Sequence, residues 1–189
     1  MKRIVLLLLL SFVITTGFSQ KQLKNHFEKD IISYTTAFNN KNWNKVTQMM
    51  YPRIFEMMSK EKMLMVLEQM DNLGVSMKTD FKSIDKVSKV VESGNEKYCK
   101  IQYFGLIKVK LTGLMSQGSS LIQPQFDQEF GKENVKYNET NNSFTIQAHR
   151  SMIAIADKRS DHWKYIDVNS PQAKSLKKLI PAKVQQQLN

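Results

Sequence analysis

The sequence predicts an α+β domain with helices first, an antiparallel sheet next and a short helix at the end. Three observations carry this. Between residues 21 and 73 the apolar side chains recur at spacings of three and four, the period of a helix face. Between 97 and 111, and again from 143, the spacing changes to two, the period of a strand with one buried side. The composition suits one compact domain: 189 residues, 41% of them hydrophobic, with seven Gly and four Pro, too few for a low-complexity chain.

Residues 1–19 have the three parts of an export signal. Lys2 and Arg3 precede the apolar run Ile4–Leu10, continued by Phe12, Val13 and Ile14, and Gly17 and Ser19 stand where a signal peptidase takes small residues. The apolar core falls short of the about 20 residues that span a bilayer. No Cys follows it, so a lipid anchor is not expected. The expectation is a signal peptide over 1–19 and a single mature domain over 20–189. That places the protein in the periplasm or outside a bacterial cell, with no transmembrane segment in the mature chain.

Residues 21–40 then form a helix whose face carries Leu23, Phe27, Ile31, Tyr34 and Phe38, closed by Asn39-Asn40-Lys41-Asn42. Trp43, Val46, Met49 and Met50 mark a second helix that stops before Pro52. A third runs over 59–73, with Ser59 as N-cap, Met63, Val66, Leu67, Met70 and Leu73 as its apolar face, and Gly74 at its C-cap.

Strands follow. In 97–111, Cys99, Ile101, Tyr103, Ile107, Val109 and Leu111 share one parity, while Lys100, Gln102, Lys108 and Lys110 make the other mostly wet. Gly105 predicts a bulge or bend within it. Its hairpin partner is expected over about 79–91, joined through the turn Ser93-Gly94-Asn95-Glu96. Gly113, Gly118, Ser119, Ser120 and Pro124 predict a loop over 112–134, with Phe126 and Phe130 on a short helix ending at Gly131. Residues 143–157 return to strand. Phe144, Ile146 and Ala148 lie on one parity and Ile153 and Ile155 on the other, which predicts a bulge near Arg150 or Ser151. A turn at 158–161 leads to a last strand over 162–168. Ser170-Pro171 begins a helix with Leu176, Leu179 and Ile180, and Pro181 restarts a short one with Val184 and Leu188. No internal repeat or linker divides the chain.

Three stretches carry a family resemblance: Tyr34 to Trp43 across the end of the first long helix, Tyr51-Pro52 with Phe55, and the closing His162-Trp163-Lys164-Tyr165-Ile166-Asp167. Together they cover most of 22–168. The chain resembles the nuclear transport factor 2-like and ketosteroid-isomerase-like superfamily, and within it secreted bacterial members of open function. The resemblance implies a cone: three N-terminal helices packed on a strongly curved antiparallel sheet, with a pocket between. Residues 112–134 would be an insertion between two sheet strands and 171–189 an added tail. The pocket would draw on Tyr34, Phe38, Phe55, Met58, Tyr103, His149 and Trp163. Members of this superfamily include isomerases, dehydratases, ligand binders and interaction modules, so the fold leaves the function open.

Catalysis in such a pocket needs a shielded acid or base. The candidates are His149, with Tyr34 or Tyr103 as donor, and Asp167, set between Ile166 and Val168. The competing reading of His149 is an exposed strand histidine, because its parity is opposite to Phe144, Ile146 and Ala148. The three His stand far apart, without metal-ligand spacing, and no nucleophile elbow, phosphate loop or dinucleotide fingerprint is present. A lone Cys99 excludes an internal disulfide framework and a Cys-based zinc finger, and predicts a buried, inert thiol. No cofactor or metal is expected.

Eight Met between positions 49 and 77 predict core packing or a pliable apolar pocket, ahead of a soft-metal site. The net charge of +11 is lysine charge spread along the chain, which points to a mutually repelling surface or a general attraction to anionic lipid or polysaccharide. Nucleic acid is not expected as a partner of an exported protein. The sequence thus predicts an exported, non-enzymatic domain for a small apolar ligand or a protein partner, including a second copy of itself. The alternative is a pocket enzyme of isomerase or dehydratase type using His149 or Asp167.

Overall fold

The computed structural model describes the backbone of residues 2–169 and 173–188, and the side chains of 20–169 and 175–188. The expected helix start at Ser170-Pro171 lies outside them. The fold is α+β: helices at the N-terminus pack on an open antiparallel sheet of six strands, and a short helix closes the chain.

Helix α1 (Lys2–Asn39) buries Phe27, Ile31 and Ala37 on one face, as the three-and-four spacing requires. Asn42 caps α2 (Trp43–Met49) by accepting from the Lys45 N–H at 3.2 Å. A 3₁₀ turn over Pro52–Glu56 follows. Ser59 caps α3 (Lys60–Asn72) through the Lys62 N–H at 3.3 Å. This helix buries none of its residues fully, and Val66 and Leu73 of its expected apolar face are exposed. Gly74 ends it at φ +88°, where a Cβ would lie 2.0 Å from the Thr112 carbonyl oxygen, so glycine is required on both counts.

The strands are β1 (Val75–Val87), β2 (Val91–Ser93), β3 (Glu96–Leu111), β4 (Val135–Asn138), β5 (Ser143–Asp157) and β6 (Lys164–Asp167). β3 and β5 form the long central pair. Toward one end they are flanked by β1 and β4, toward the other by β2 and β6. β1 carries two register shifts against β3, between Phe81 and Ser83 and between Ile84 and Lys86, which bend and twist that edge. The irregularity expected at Gly105 is therefore taken by its partner: Gly105 pairs with Phe81, and a Cβ there would approach the Asp80 carbonyl oxygen at 3.1 Å.

The bulge expected in β5 is absent. β5 pairs with β3 in one unbroken register from Ser143 to Asp157. Its two apolar parities have another cause: its second half is covered on both faces. Met152, Ala154 and Ala156 face inward onto Phe27 and Ile31 of α1. Ile153 and Ile155 face outward onto Leu179, Ile180 and the closing helix α6 (Ala182–Leu188), where Val184 and Leu188 are buried. A short helix α5 (Ala173–Lys177) precedes α6.

Residues 112–134 hold more order than a loop. They contain α4 (Ser119–Phe130), which runs through Pro124 and lays Ile122, Phe126 and Phe130 against Val109, Phe144 and Ile146. β4 was not foreseen. Its four residues are too few for period-two alternation to stand out.

Candidate functional site

The inner face of the sheet is a cross-strand ladder. Cys99, Ile101, Tyr103, Gly105 and Ile107 of β3 stand opposite Ala154, Met152, Arg150, Ala148 and Ile146 of β5. α1 covers one end of this face and α4 the other. Between them lies a cavity of about 310 Å³. Ile31, Tyr34 and Phe38 enter it from α1, at three and four residue spacing on one helix face. Tyr103, Ala148 and Arg150 enter from the sheet, and Phe126, Glu129 and Phe130 from α4. A recess of about 70 Å³ adjoins it, sharing Tyr34, Tyr103 and Asp167 and reaching Asp30 and Tyr165.

The walls are mainly apolar and aromatic, with one polar corner. Arg150 Nη2 lies 2.6 Å from Asp167 Oδ2, and Nη1 lies 3.6 Å from Glu129 Oε1. The guanidinium also stands 5.9 Å from the Phe130 ring centre. Arg150 is only 16% exposed, so its charge needs both carboxylates. Burial pushes the Tyr34 phenol up to about 12, with the Asp167 charge adding to the shift and Arg150 opposing it. Among the described residues the Tyr34 hydroxyl has no hydrogen-bond partner. Burial likewise raises Tyr103, again with Asp167 adding and Arg150 opposing. In the recess the Tyr165 hydroxyl donates to Asp30, and burial and that carboxylate both push the phenol upward. All three tyrosines stay protonated across the ordinary pH range and act as donors and acceptors, not as bases.

Of the residues the sequence nominated, Tyr34, Phe38, Tyr103 and Asp167 surround this cavity. The other four do not. His149 alternates with Ala148 and Arg150, both inward, so it points outward: it is 73% exposed, pairs with Asp85 at 2.9 Å and stacks on Phe104 at 5.0 Å. Trp163 is core, edge-on to Phe27 at 5.2 Å, with Lys97 Nζ 5.1 Å above its ring. Phe55 lies in the 3₁₀ turn away from the cavity, and Met58 beside it is 40% exposed. Asp167 is in the cavity, but its Oδ2 is held by Arg150 and its Oδ1 accepts from the Asn169 N–H at 2.7 Å. An engaged carboxylate of this kind serves as a counter-ion.

Sequence reasoning passed over Arg150, Glu129 and Phe81. Arg150 was hidden by placing a break in the strand at that residue. Phe126, Glu129 and Phe130 show the spacing of one helix face, a signal that was present once α4 is granted its full length. Cys99 is fully buried, beside the Ser88 carbonyl at 3.3 Å, and burial pushes its thiol up to about 11. Among the described residues no three His, Cys, Asp or Glu side chains stand together as a metal site, and no helix is long and apolar enough to cross a membrane.

Fold and site together define an α+β domain whose helices close a mainly apolar cavity against an antiparallel sheet. No family model matches the chain, and no curated protein does. One solved structure similar to it is the intermembrane space region of the chloroplast protein ARC6. The identity is 15% over 77% of this chain and 90% of that one, with a TM-score of 0.42. A likeness at that level assigns nothing to this chain.

Proposed function

We propose that this chain is an exported, non-enzymatic binding domain of the nuclear transport factor 2-like type, holding one small, mainly apolar ligand between α1, α4 and the sheet. The observation that carries the reading is the cavity of about 310 Å³, lined by aromatic and aliphatic side chains around one polar corner at Arg150 and Asp167. Ligand sites have this character: apolar walls for affinity and a few placed polar groups for orientation. His149 stands outside the cavity and Asp167 is tied to Arg150, which favours binding over acid–base catalysis. Export rests on the basic start, apolar run and small residues of 1–19.

Native mass spectrometry on protein purified from the exported fraction tests this. The expected result is a chain beginning at Gln20 that carries extra mass, lost on denaturation. A chain still starting at Met1 would contradict export, and a bare chain would contradict a resident ligand.

A second reading, contact with a protein partner or a second copy, is favoured by one feature. Met57, Met58, Met65, Val66 and Leu73 are all exposed in and around α3, more apolar surface than an isolated helix face ordinarily leaves to water. Solution mass at micromolar concentration tests self-association, and a strict monomer contradicts it.

A further inference from the structure

We infer that the cavity takes an apolar organic cation, an alkyl- or arylammonium, in preference to an apolar carboxylate. The inference rests on the ligand-binding reading above and adds the sign of the ligand's charge.

The charged side chains around the cavity and its recess are four carboxylates, Asp30, Asp80, Glu129 and Asp167, and one cation, Arg150. Two of these have basic neighbours outside the lining: Asp80 pairs with Lys82 at 2.7 Å, and Asp30 stands 3.4 Å from His26 Nε2. None of the chain's lysines is among the lining residues, although the chain as a whole carries +11. The interior therefore has the opposite sign to the exterior. Arg150, the one cation of the lining, already faces two carboxylates, at 2.6 and 3.6 Å. A ligand carboxylate has to displace Asp167 to reach it, and leaves Asp167 facing a second negative charge.

A cation meets the reverse situation. One guanidinium shared by Asp167 and Glu129 leaves net negative charge at the polar corner. The Tyr34 hydroxyl, without a partner among the described residues, accepts from an ammonium N–H. The lining also carries the aromatic rings of Tyr34, Phe38, Phe81, Tyr103 and Phe126, and an aromatic face attracts a cation and repels an anion. Arg150 is buried at 16% exposure while both of its carboxylates reach solvent, so the attraction for a cation weakens as salt is added. The positive exterior works against cation binding anywhere else, so a measured preference for a cation has its source in this cavity.

The test titrates the full chain with three soluble probes that share one aromatic ring: benzylammonium, benzyl alcohol and benzoate, at pH 7, followed by amide NMR shifts. Benzylammonium is expected to bind about tenfold more tightly than benzyl alcohol, the order of a desolvated cation–π and ion-pair contribution. Benzoate is expected to bind weakest, and the largest benzylammonium shifts are expected at Tyr103, Arg150 and Asp167. Glu129→Gln, at the partly exposed end of the corner, lowers the affinity ratio of benzylammonium to benzyl alcohol several-fold, and Asp167→Asn lowers it further. Two outcomes overturn the charge assignment and leave the ligand-binding reading standing: benzyl alcohol matching benzylammonium, or benzoate matching or exceeding it. Failure of all three probes to shift cavity residues overturns both. An unchanged ratio in Glu129→Gln and Asp167→Asn, in variants that keep the wild-type amide spectrum, removes the corner as the source.

Discussion

Arg150 on β5 and Asp167 on β6 close a 2.6 Å ion pair on the inner face of the sheet, beside the cavity. The two partners are not equivalent, because Arg150 is more deeply buried than Asp167. Removing the carboxylate strands a buried guanidinium with Glu129 alone at 3.6 Å. Asp167→Ala is therefore expected to cost about 2–3 kcal/mol in chemical denaturation. Arg150→Met, which fills the space and leaves a carboxylate nearer to water, is expected to cost less, and the double variant less than Asp167→Ala alone. Additive losses in this cycle would mean that the pair is not coupled.

Five tyrosines, at 34, 51, 98, 103 and 165, have phenols raised above the ordinary value of 10.0, burial being the first cause in each. The unfolded chain ionises near pH 10 while the folded chain holds its protons higher, so their contribution to stability is complete below pH 10. It is lost as pH rises from there, through about 12 in the case of Tyr34. The expected outcome is an unfolding free energy that begins to fall near pH 9, where the Cys99 thiol of the unfolded chain ionises, and falls more steeply above pH 10 as the phenols follow. The phenolate absorbance should appear together with unfolding. Phenols that ionised freely in a chain still folded at pH 10 would contradict their burial.

Cys99 is fully buried with its thiol pushed up to about 11. It should be unreactive toward a thiol reagent in the native protein and react only when denaturant opens the core. Prompt labelling without denaturant would show that the core around Phe27 and Cys99 opens far more readily than its packing implies.

Gly74→Ala places a Cβ 2.0 Å from the Thr112 carbonyl oxygen at a positive φ. The expected destabilisation is at least about 2 kcal/mol, read as a fall in Tm, because the backbones of the α3–β1 turn and the end of β3 must separate. A change within experimental error would mean that this junction is slack.

His149→Ala removes a side chain from the outer face and an exposed pair with Asp85. Its stability effect is expected to stay below about 1 kcal/mol, with ligand affinity unchanged. A loss of binding or of a detected turnover would return His149 to the site.

The long periodic elements were legible in the sequence for a physical reason. The face of α1 through Phe27, Ile31, Tyr34 and Phe38, and the parity of Cys99, Ile101 and Tyr103 in β3, are each set by one buried side. Legibility failed where a segment is buried twice or is short. Ile153 and Ile155 read as a phase change only because α6, far along the chain, covers the second face of β5. That misreading displaced Arg150, and with it the polar corner. The cavity half was found through Tyr34, Phe38, Tyr103 and Asp167. The α4 half was missed because Pro124 and the small residues before it read as loop, while tertiary contacts of Phe126 with Phe144 at 5.2 Å accompany a helix that runs through that proline.

A ligand between α1, α4 and the sheet is open to direct test. Ala148 lines that space on the inner ladder, opposite Gly105. Native mass spectrometry of the exported wild type beside Ala148→Leu, a substitution that fills the cavity, addresses the claim most directly. Extra mass is expected on the wild type and none on a folded Ala148→Leu. Equal extra mass on both proteins, or none on the wild type, would contradict it.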